Sequence, residues 1–347
     1  MKKFNIAFDR DWPLHIYIQQ LKVHLDTVSV EVISPKSLSD WLKIKAFHMH
    51  SPYGWIRENK VKSSINLVHF MLKLFVLKCL RKRLIWTDHD LFDNSLLGKI
   101  CIQLLVILSD AIICHCEASK QELCEKFRVS DHKIYVIPHP NFIELYPNQI
   151  TPEEGRKKFG LHENQRVFLF LGNVRRDKGI LNLVRTFHKL NNPHALLLIA
   201  GQVETPNLGE QIQHEIELDH RIQAHFRYIP DDEVQFFMSV ADYAVFPYER
   251  ITTSGALILA MGFEKACIVA DICCLGELTN KNGGFKYNPV DSEGLFNALN
   301  EASSISDEVV ESMGKWNFNL VSDWNWLNLA QFYQNLYYPE KGKNSRT

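Results

Sequence analysis

The chain has 347 residues, 46% of them apolar and 23% charged, which suits two ordinary domains with real cores and excludes global disorder. Its formal net charge of −1 conceals an asymmetry: residues 1–140 hold 20 Lys+Arg against 14 Asp+Glu, and the remainder 19 against 26. The first part is therefore at +6 and the rest at −7, so the two are expected to face different partners, neither of them nucleic acid.

Short β-branched or aromatic runs read as strands at 4–8, 28–33, 44–49, 84–88, 111–115 and 133–137. Helical patterns lie between them, around 13–25, 61–80, 95–108 and 117–128. Such alternation implies a parallel sheet covered on both faces. Met1-Lys2-Lys3 is followed by only five residues before Asp9 and Arg10, so no secretory leader is expected. Three of the strands end in histidine. "FHMHSPYGW" places His48 and His50 on one face of a strand end, "WTDHD" carries His89 and Asp90, and "CHCEASK" carries His115 and Glu117. Metal binding is not expected of them, because no carboxylate–histidine spacing supports it. Eight cysteines contain no C-x-x-C pair, which argues against a zinc site.

Between 57 and 83 the chain is basic, with Arg57, Lys60, Lys62, Lys73, Lys78, Arg81, Lys82 and Arg83 opposed only by Glu58. Interleaved is "INLVHFMLKLFVLKCL", too apolar for a fully solvated helix and too short and charged to span a bilayer. It reads either as an ordinary covering helix or as one whose basic flanks also meet anionic lipid.

The proline-rich, polar segment 138–154 reads as an interdomain linker. A second set of strands follows at 166–172, 194–201, 222–229, 243–248, 266–271 and 283–288. An aromatic amphipathic helix closes the chain at 323–338, with Trp326, Ala330, Tyr333 and Tyr337 on a stripe that must be buried. The expected organisation is an α/β first domain over 1–140, a second over 141–322, and a helix with tail over 323–347. Neither G-x-G-x-x-G nor G-x-x-x-x-G-K-[ST] occurs.

Two features of the second half invite an anion. "FLFLGNVRRDKGILNLVRTF" (168–187) sets Arg175, Arg176 and Lys178 in a turn at the carboxyl end of a strand, where α/β proteins bind ligands. Thr252, Thr253 and Ser254 precede an apolar run that starts at Gly255, forming an N-cap cluster with helical N–H groups behind it.

Taken in order, the first of these stretches, then "ADYAVFPY", "SGALILAMGFEKACIVAD", "CLGELT" and "NGGFKYNPVDSEGLFNAL", resemble the donor half of a GT-B glycosyltransferase. The specific resemblance is to the group 1, or family 4, nucleotide-sugar transferases. It extends over roughly 40 to 340, with "VIPHPNF" similar to the hinge entry and the closing helix similar to one that crosses back onto the first domain. It implies two Rossmann-like domains facing a cleft, an acceptor site in the first and a donor site in the second.

By this resemblance Gly172 and Lys178 match the family's G-R-x-x-x-x-K-G turn and would hold the donor diphosphate, with Thr252, Thr253, Ser254 and Gly255 facing it. Asn173 stands at the family's arginine, so Arg175 or Arg176 would supply the second charge. Gly276 and Glu277 fall in a Gly-x-x-Glu-like turn near the donor. Ile251 and Leu259 occupy the positions of the family's two glutamates, and Glu249 is the carboxylate nearest to replace one. His89 matches the cleft histidine, His48, His50, His115 and His139 would line the acceptor side, and Glu117 or Asp90 would act as base. The function implied is transfer of a sugar from a UDP- or GDP-linked donor to a glycan or polyprenyl-diphosphate-linked acceptor in cell-surface polysaccharide assembly. No metal or other cofactor is expected. The location expected is cytoplasmic and, on the reading of 57–83 as a helix whose basic flanks meet anionic lipid, peripheral on the inner face of the plasma membrane. The alternatives are a nucleotide-sugar epimerase or phosphorylase of the same fold, or a non-catalytic nucleotide-sugar-binding subunit.

Overall fold

A computed structural model describes residues 3–10, 15–50, 60–89 and 96–339. The chain divides into two compact units, one formed by 1–139 with 324–347 and the other by 140–323.

The first unit runs β1 (Phe4–Phe8), α1 (Ile16–Thr27), β2 (Val30–Val32), α2 (Leu38–Lys43), β3 (Ala46–Met49), α3 (Lys60–Cys79), β4 (Arg83–Thr87), α4 (Leu96–Leu108), β5 (Ala111–Cys114), α5 (Glu117–Phe127) and β6 (Ile134–Val136). Its six strands pair in parallel in the order β2-β1-β3-β4-β5-β6. Strand periodicity sorts the side chains. Phe47, Met49, Leu84, Trp86, Ile112 and Cys114 point to the core shared with α3 and α4. His48, Thr87 and His115 point to the other face.

The second unit runs α6 (Pro152–Phe159), β7 (Arg166–Leu171), α7 (Ile180–Phe187), β8 (Ala195–Ala200), α8 (Pro206–Ile216), β9 (Ile222–His225), α9 (Asp231–Val240), β10 (Tyr243–Phe246), α10 (Gly255–Gly262), β11 (Ala266–Ala270), α11 (Cys273–Leu278), β12 (Gly284–Tyr287), α12 (Gly294–Ser303) and α13 (Asp307–Ser322). Its parallel sheet has the order β12-β11-β10-β7-β8-β9. Local chemistry sets several helix ends. Thr151 and Glu154 form a capping box on α6 with Pro152 at its first position, and Gly160 closes it at φ 67°.

The last helix, α14 (Trp326–Tyr337), belongs to the first unit and packs along α1. Trp326, Ala330, Tyr333 and Tyr337, the stripe expected from the sequence, are all buried there. The Tyr17 and Tyr333 hydroxyls meet at 3.0 Å, and Gln334 donates to the Val28 carbonyl.

Two readings need correction. The six-residue α2 falls where the sequence reading placed no helix, although Leu38, Trp41 and Leu42 stand at helical spacing; a Ser37–Asp40 capping box nucleates it. Strand β9 ends at His225 and not at 229, because its partner β8 ends opposite, at Ala200, and leaves no further ladder. Among the described residues no helix is long and apolar enough to cross a membrane.

Candidate functional site

Each sheet has one switch point where strand order reverses, and ligands of open α/β sheets bind outside the carboxyl ends there. In the second unit the switch lies between β7 and β10. The turn after β7 and the segment after β10 carry the cations and the cap cluster singled out from the sequence.

Gly179, at φ 68°, is held close to that second segment: a Cβ added to it would lie 2.0 Å from the Pro247 carbonyl oxygen. The Glu249 N–H donates to the Asp177 carbonyl at 2.9 Å, which fixes the two segments together. Lys178 is therefore half-buried and not on an exposed turn, its Nζ 3.6 Å from the centroid of the Tyr248 ring. Tyr248 is buried, which raises its pKa, and its hydroxyl is hydrogen-bonded with Ser254. Ser254 in turn accepts from the Leu257 N–H at 3.2 Å and caps α10, which opens at Gly255. Lys178, Tyr248, Ser254 and the positive end of α10 thus form one assembly.

Other candidates stand further out. Arg175 binds Asp177 with two nitrogens, at 3.0 and 2.6 Å, so its charge is matched within the turn. Arg176 is exposed, as is Glu249; Gly172 sits at φ 150°, Thr252 is buried and Thr253 half-buried. Gly276 lies buried in α11, where an added Cβ would meet Asp271 Oδ1 at 2.0 Å, and Glu277 beside it is exposed. Sequence reading passed over Lys286 of β12, whose Nζ reaches the Gly276 carbonyl at 3.3 Å and Asp271 at 3.2 Å. Its only signal was a lone cation among strand aromatics.

The first unit has its switch between β1 and β3. There Asp9 Oδ1 accepts from the His50 N–H at 3.1 Å. From this point histidines follow the carboxyl ends of β3, β4, β5 and β6 around the buried ring of Tyr17. Ring centroids are 4.0 Å apart for His48 and His50, 5.6 Å for His50 and His89, 5.2 Å for His89 and His115, and 5.3 Å for His115 and His139. Tyr17 lies 5.2 Å from both His89 and His139.

These rings are not equivalent. His48 is fully buried, with Nδ1 2.6 Å from the Tyr337 hydroxyl and Nε2 2.7 Å from Thr87 Oγ1, so it ties α14 to the sheet and does not face a ligand. His115 Nδ1 lies 2.9 Å from the Ile137 carbonyl. A carbonyl only accepts, so Nδ1 carries the hydrogen and the buried Nε2, which has no protein partner, presents a lone pair. His50 Nε2 is buried without a partner as well, while its Nδ1 lies 3.3 Å from His89 Nε2. Burial lowers the pKa of His48, His50 and His89 well below the ordinary value and that of His115 to about 4. The histidines around His89 lower it further. At neutral pH these rings are uncharged, able to accept hydrogen bonds and poor at taking up protons.

Glu117 is exposed at the start of α5, 3.7 Å from Lys120. Asp90 lies outside the described residues. The carboxylate that sequence reading missed is Asp88, fully buried at the end of β4, which accepts from the Ser119 hydroxyl of α5 at 3.0 Å.

Comparison with known proteins adds to this geometry. Residues 152–317 match the family model "Glycosyl transferases group 1", and residues 13–140 match "Glycosyltransferase Family 4". The chain is 22% identical over 227 residues to an uncharacterized glycosyltransferase of Methanocaldococcus jannaschii, covering 63% of this chain and 57% of that one. It is 27% identical over 97 residues to the GDP-mannose:glycolipid 4-beta-D-mannosyltransferase of Xanthomonas campestris, covering 28% of each. The chain spans about half the length, or less, of these curated relatives. Among solved structures it is similar to Anabaena HepE in complex with UDP, at a TM-score of 0.75 and 15% identity over 96% of this chain and 99% of that one. A sucrose-phosphate synthase from Thermosynechococcus elongatus has the same fold at a TM-score of 0.72 and 16% identity, covering 97% of this chain and 100% of that one. With two switch points, a family 4 domain over the first sheet and a group 1 domain over the second, the chain belongs to the GT-B glycosyltransferases as a divergent member.

Proposed function

We propose that the protein transfers a sugar from a nucleotide-diphosphate donor, UDP- or GDP-linked, to a hydroxyl of a glycan or lipid-linked saccharide in cell-surface polysaccharide assembly. The observation that carries this reading is the Lys178–Tyr248–Ser254 assembly at the β7/β10 switch. A departing nucleoside diphosphate develops charge on its β-phosphate, and a cation beside a helix N-terminus stabilises that charge. UDP and UDP-glucose bound to Anabaena HepE support a nucleotide-sugar donor here. In the first unit, the partnerless lone pair of His115 and the Nε2 of His50 suit acceptor hydroxyls, with His89 between them. These rings position the acceptor; a carboxylate, with Asp88, Glu117 and Asp90 as candidates, takes the proton.

The test is thermal unfolding of the chain with a panel of UDP- and GDP-sugars. A ligand at 100 times its dissociation constant adds about 2.7 kcal/mol of stability, so the matching donor raises the midpoint clearly. No shift with any nucleotide sugar would refute the reading. A second reading, a non-catalytic nucleotide-sugar-binding subunit, is favoured by Ile251 and Leu259, where a carboxylate is expected at each place. Slow hydrolysis of the bound donor without acceptor separates the two, since only an enzyme produces it.

A further inference from the structure

A helix that covers a sheet needs one apolar stripe, turned toward the sheet. α3 has two. Leu67, Leu74 and Leu77 are buried in the first unit's core. On the opposite side Ile65, Val68, Leu72, Phe75 and Val76 are 51–61% exposed. Their spacing places them on a single stripe. Singly scattered exposed hydrophobics are ordinary, whereas an aligned run of this size marks an interaction surface.

The surface extends to both neighbours of α3. Lys73 lies over the rings of Trp41 and Phe47, at 4.6 and 4.4 Å, and holds α2 beside α3. Leu38 and Leu42 of α2 are exposed, as are Leu96 and Ile107 of α4, and the buried sides of α3 and α4 share one core. In the second unit the exposed large hydrophobics Leu218, Tyr228, Val290 and Val309 fall in separate places along the chain.

Charge selects the occupant. Neither α3 nor α4 contains an acidic residue. Lys62, Arg81 and Lys99, on or next to these helices, are exposed. A protein partner or a second copy of the chain would need only the apolar stripe. A stripe bordered by cations, on two helices without carboxylates and beside an α2 whose one carboxylate, Asp40, is held by its own Ser37 cap and by Lys43, is complementary to an anionic lipid surface.

We propose that the outer face of α3, with the adjoining parts of α2 and α4, docks in the plane of an anionic bilayer. Leu72, Phe75 and Val68 enter the acyl boundary, while Lys62, Arg81 and Lys99 meet headgroups. The sequence assigned the lipid contact to the basic flanks of this helix; contact through its outer apolar face differs in that apolar insertion persists when salt screens the charges. It is independent of the donor and acceptor chemistry proposed above.

The experiment is co-sedimentation of the full chain with phosphatidylcholine vesicles, with and without phosphatidylglycerol, at low and high salt. Wild type should bind the phosphatidylglycerol vesicles, and high salt should weaken binding without abolishing it. Changing Leu72→Gln together with Phe75→Gln should lower the partition coefficient at least about tenfold at either salt, whereas Phe75→Leu should retain binding. Both side chains are exposed, so the unfolding midpoint should not move. Ile65→Gln with Val68→Gln, on the preceding turns, provides a second variant with the same expectation. Failure of wild type to bind anionic vesicles overturns the proposal, as does wild-type affinity in both double variants. A lipid-free dimer that either double variant converts to monomer would assign the face to a second copy instead.

Discussion

The two units use the same architecture, six parallel strands with one switch point, and equip it differently. The second unit is contiguous in sequence, and its switch point gathers a lysine, a buried tyrosine and a helix N-terminus. The first unit recruits α14 from the far end of the chain, and its switch point gathers neutral imidazoles around Tyr17. One edge presents a cation and a helix N-terminus, which suit the negatively charged donor proposed; the other presents uncharged imidazoles, which suit the proposed acceptor hydroxyls. The lesson is that sheet topology chooses where a ligand sits, and the residues just past the strand ends choose its charge.

Removing α14 should break this contrast most severely. Truncation before Trp324 strips Tyr17 and His48 of Tyr333 and Tyr337 and exposes the α1 face. A single Tyr333→Ala change should already cost about 3–5 kcal/mol. The truncated chain should lose the unfolding transition of the first unit in calorimetry and keep that of the second. Two retained transitions would show that the first unit does not depend on its last helix.

Acid should act next, and on the same unit. Unfolded histidine takes up a proton near pH 6.5, while folded His115 resists until about 4. Stability contributed by this residue is therefore intact above 6.5 and falls as pH drops toward 4, by about 3 kcal/mol in total. His50 and His89 add to the loss in the same direction. His115→Asn keeps a donor toward the Ile137 carbonyl and cannot titrate, so the midpoint of this variant should fall less between pH 7 and pH 5. An equal fall in variant and wild type would mean that His115 does not carry the acid sensitivity.

At the second switch point the expected effects are smaller. A charge-assisted hydrogen bond contributes about 1.5–3 kcal/mol, so Lys178→Ala should lower kcat/KM for an active donor about 10- to 150-fold. Arg175→Ala should cost less, because Asp177 already holds that guanidinium. Equal losses from the two changes would mean that the Arg175–Asp177 pair opens when donor binds. Smallest is Ser254→Ala, which removes the α10 cap and should destabilise the second unit by about 1 kcal/mol. Urea unfolding followed in both units would show whether that loss stays in the second.

Much of this molecule was legible along the chain, since strand and helix periods, caps and glycine turns are properties of neighbouring residues. Alternation revealed both sheets, the run around Gly172 and Lys178-Gly179 marked the turn after β7, and Thr252 to Ser254 located the start of α10. The aromatic stripe of α14 announced that it must be buried, and the resemblance to known transferases pointed to the first domain as its partner. Tertiary structure alone decided the rest. Only the fold separates His48, locked between Tyr337 and Thr87, from His50 and His115, which keep a nitrogen unpartnered. Only the fold matches Arg175 with Asp177, lays Lys178 on Tyr248, buries Asp88 and leaves a second apolar face of α3 uncovered. The physical reason is that sequence sets which side chains share a face, whereas burial, and with it charge state and partner, depends on what distant segment packs over that face.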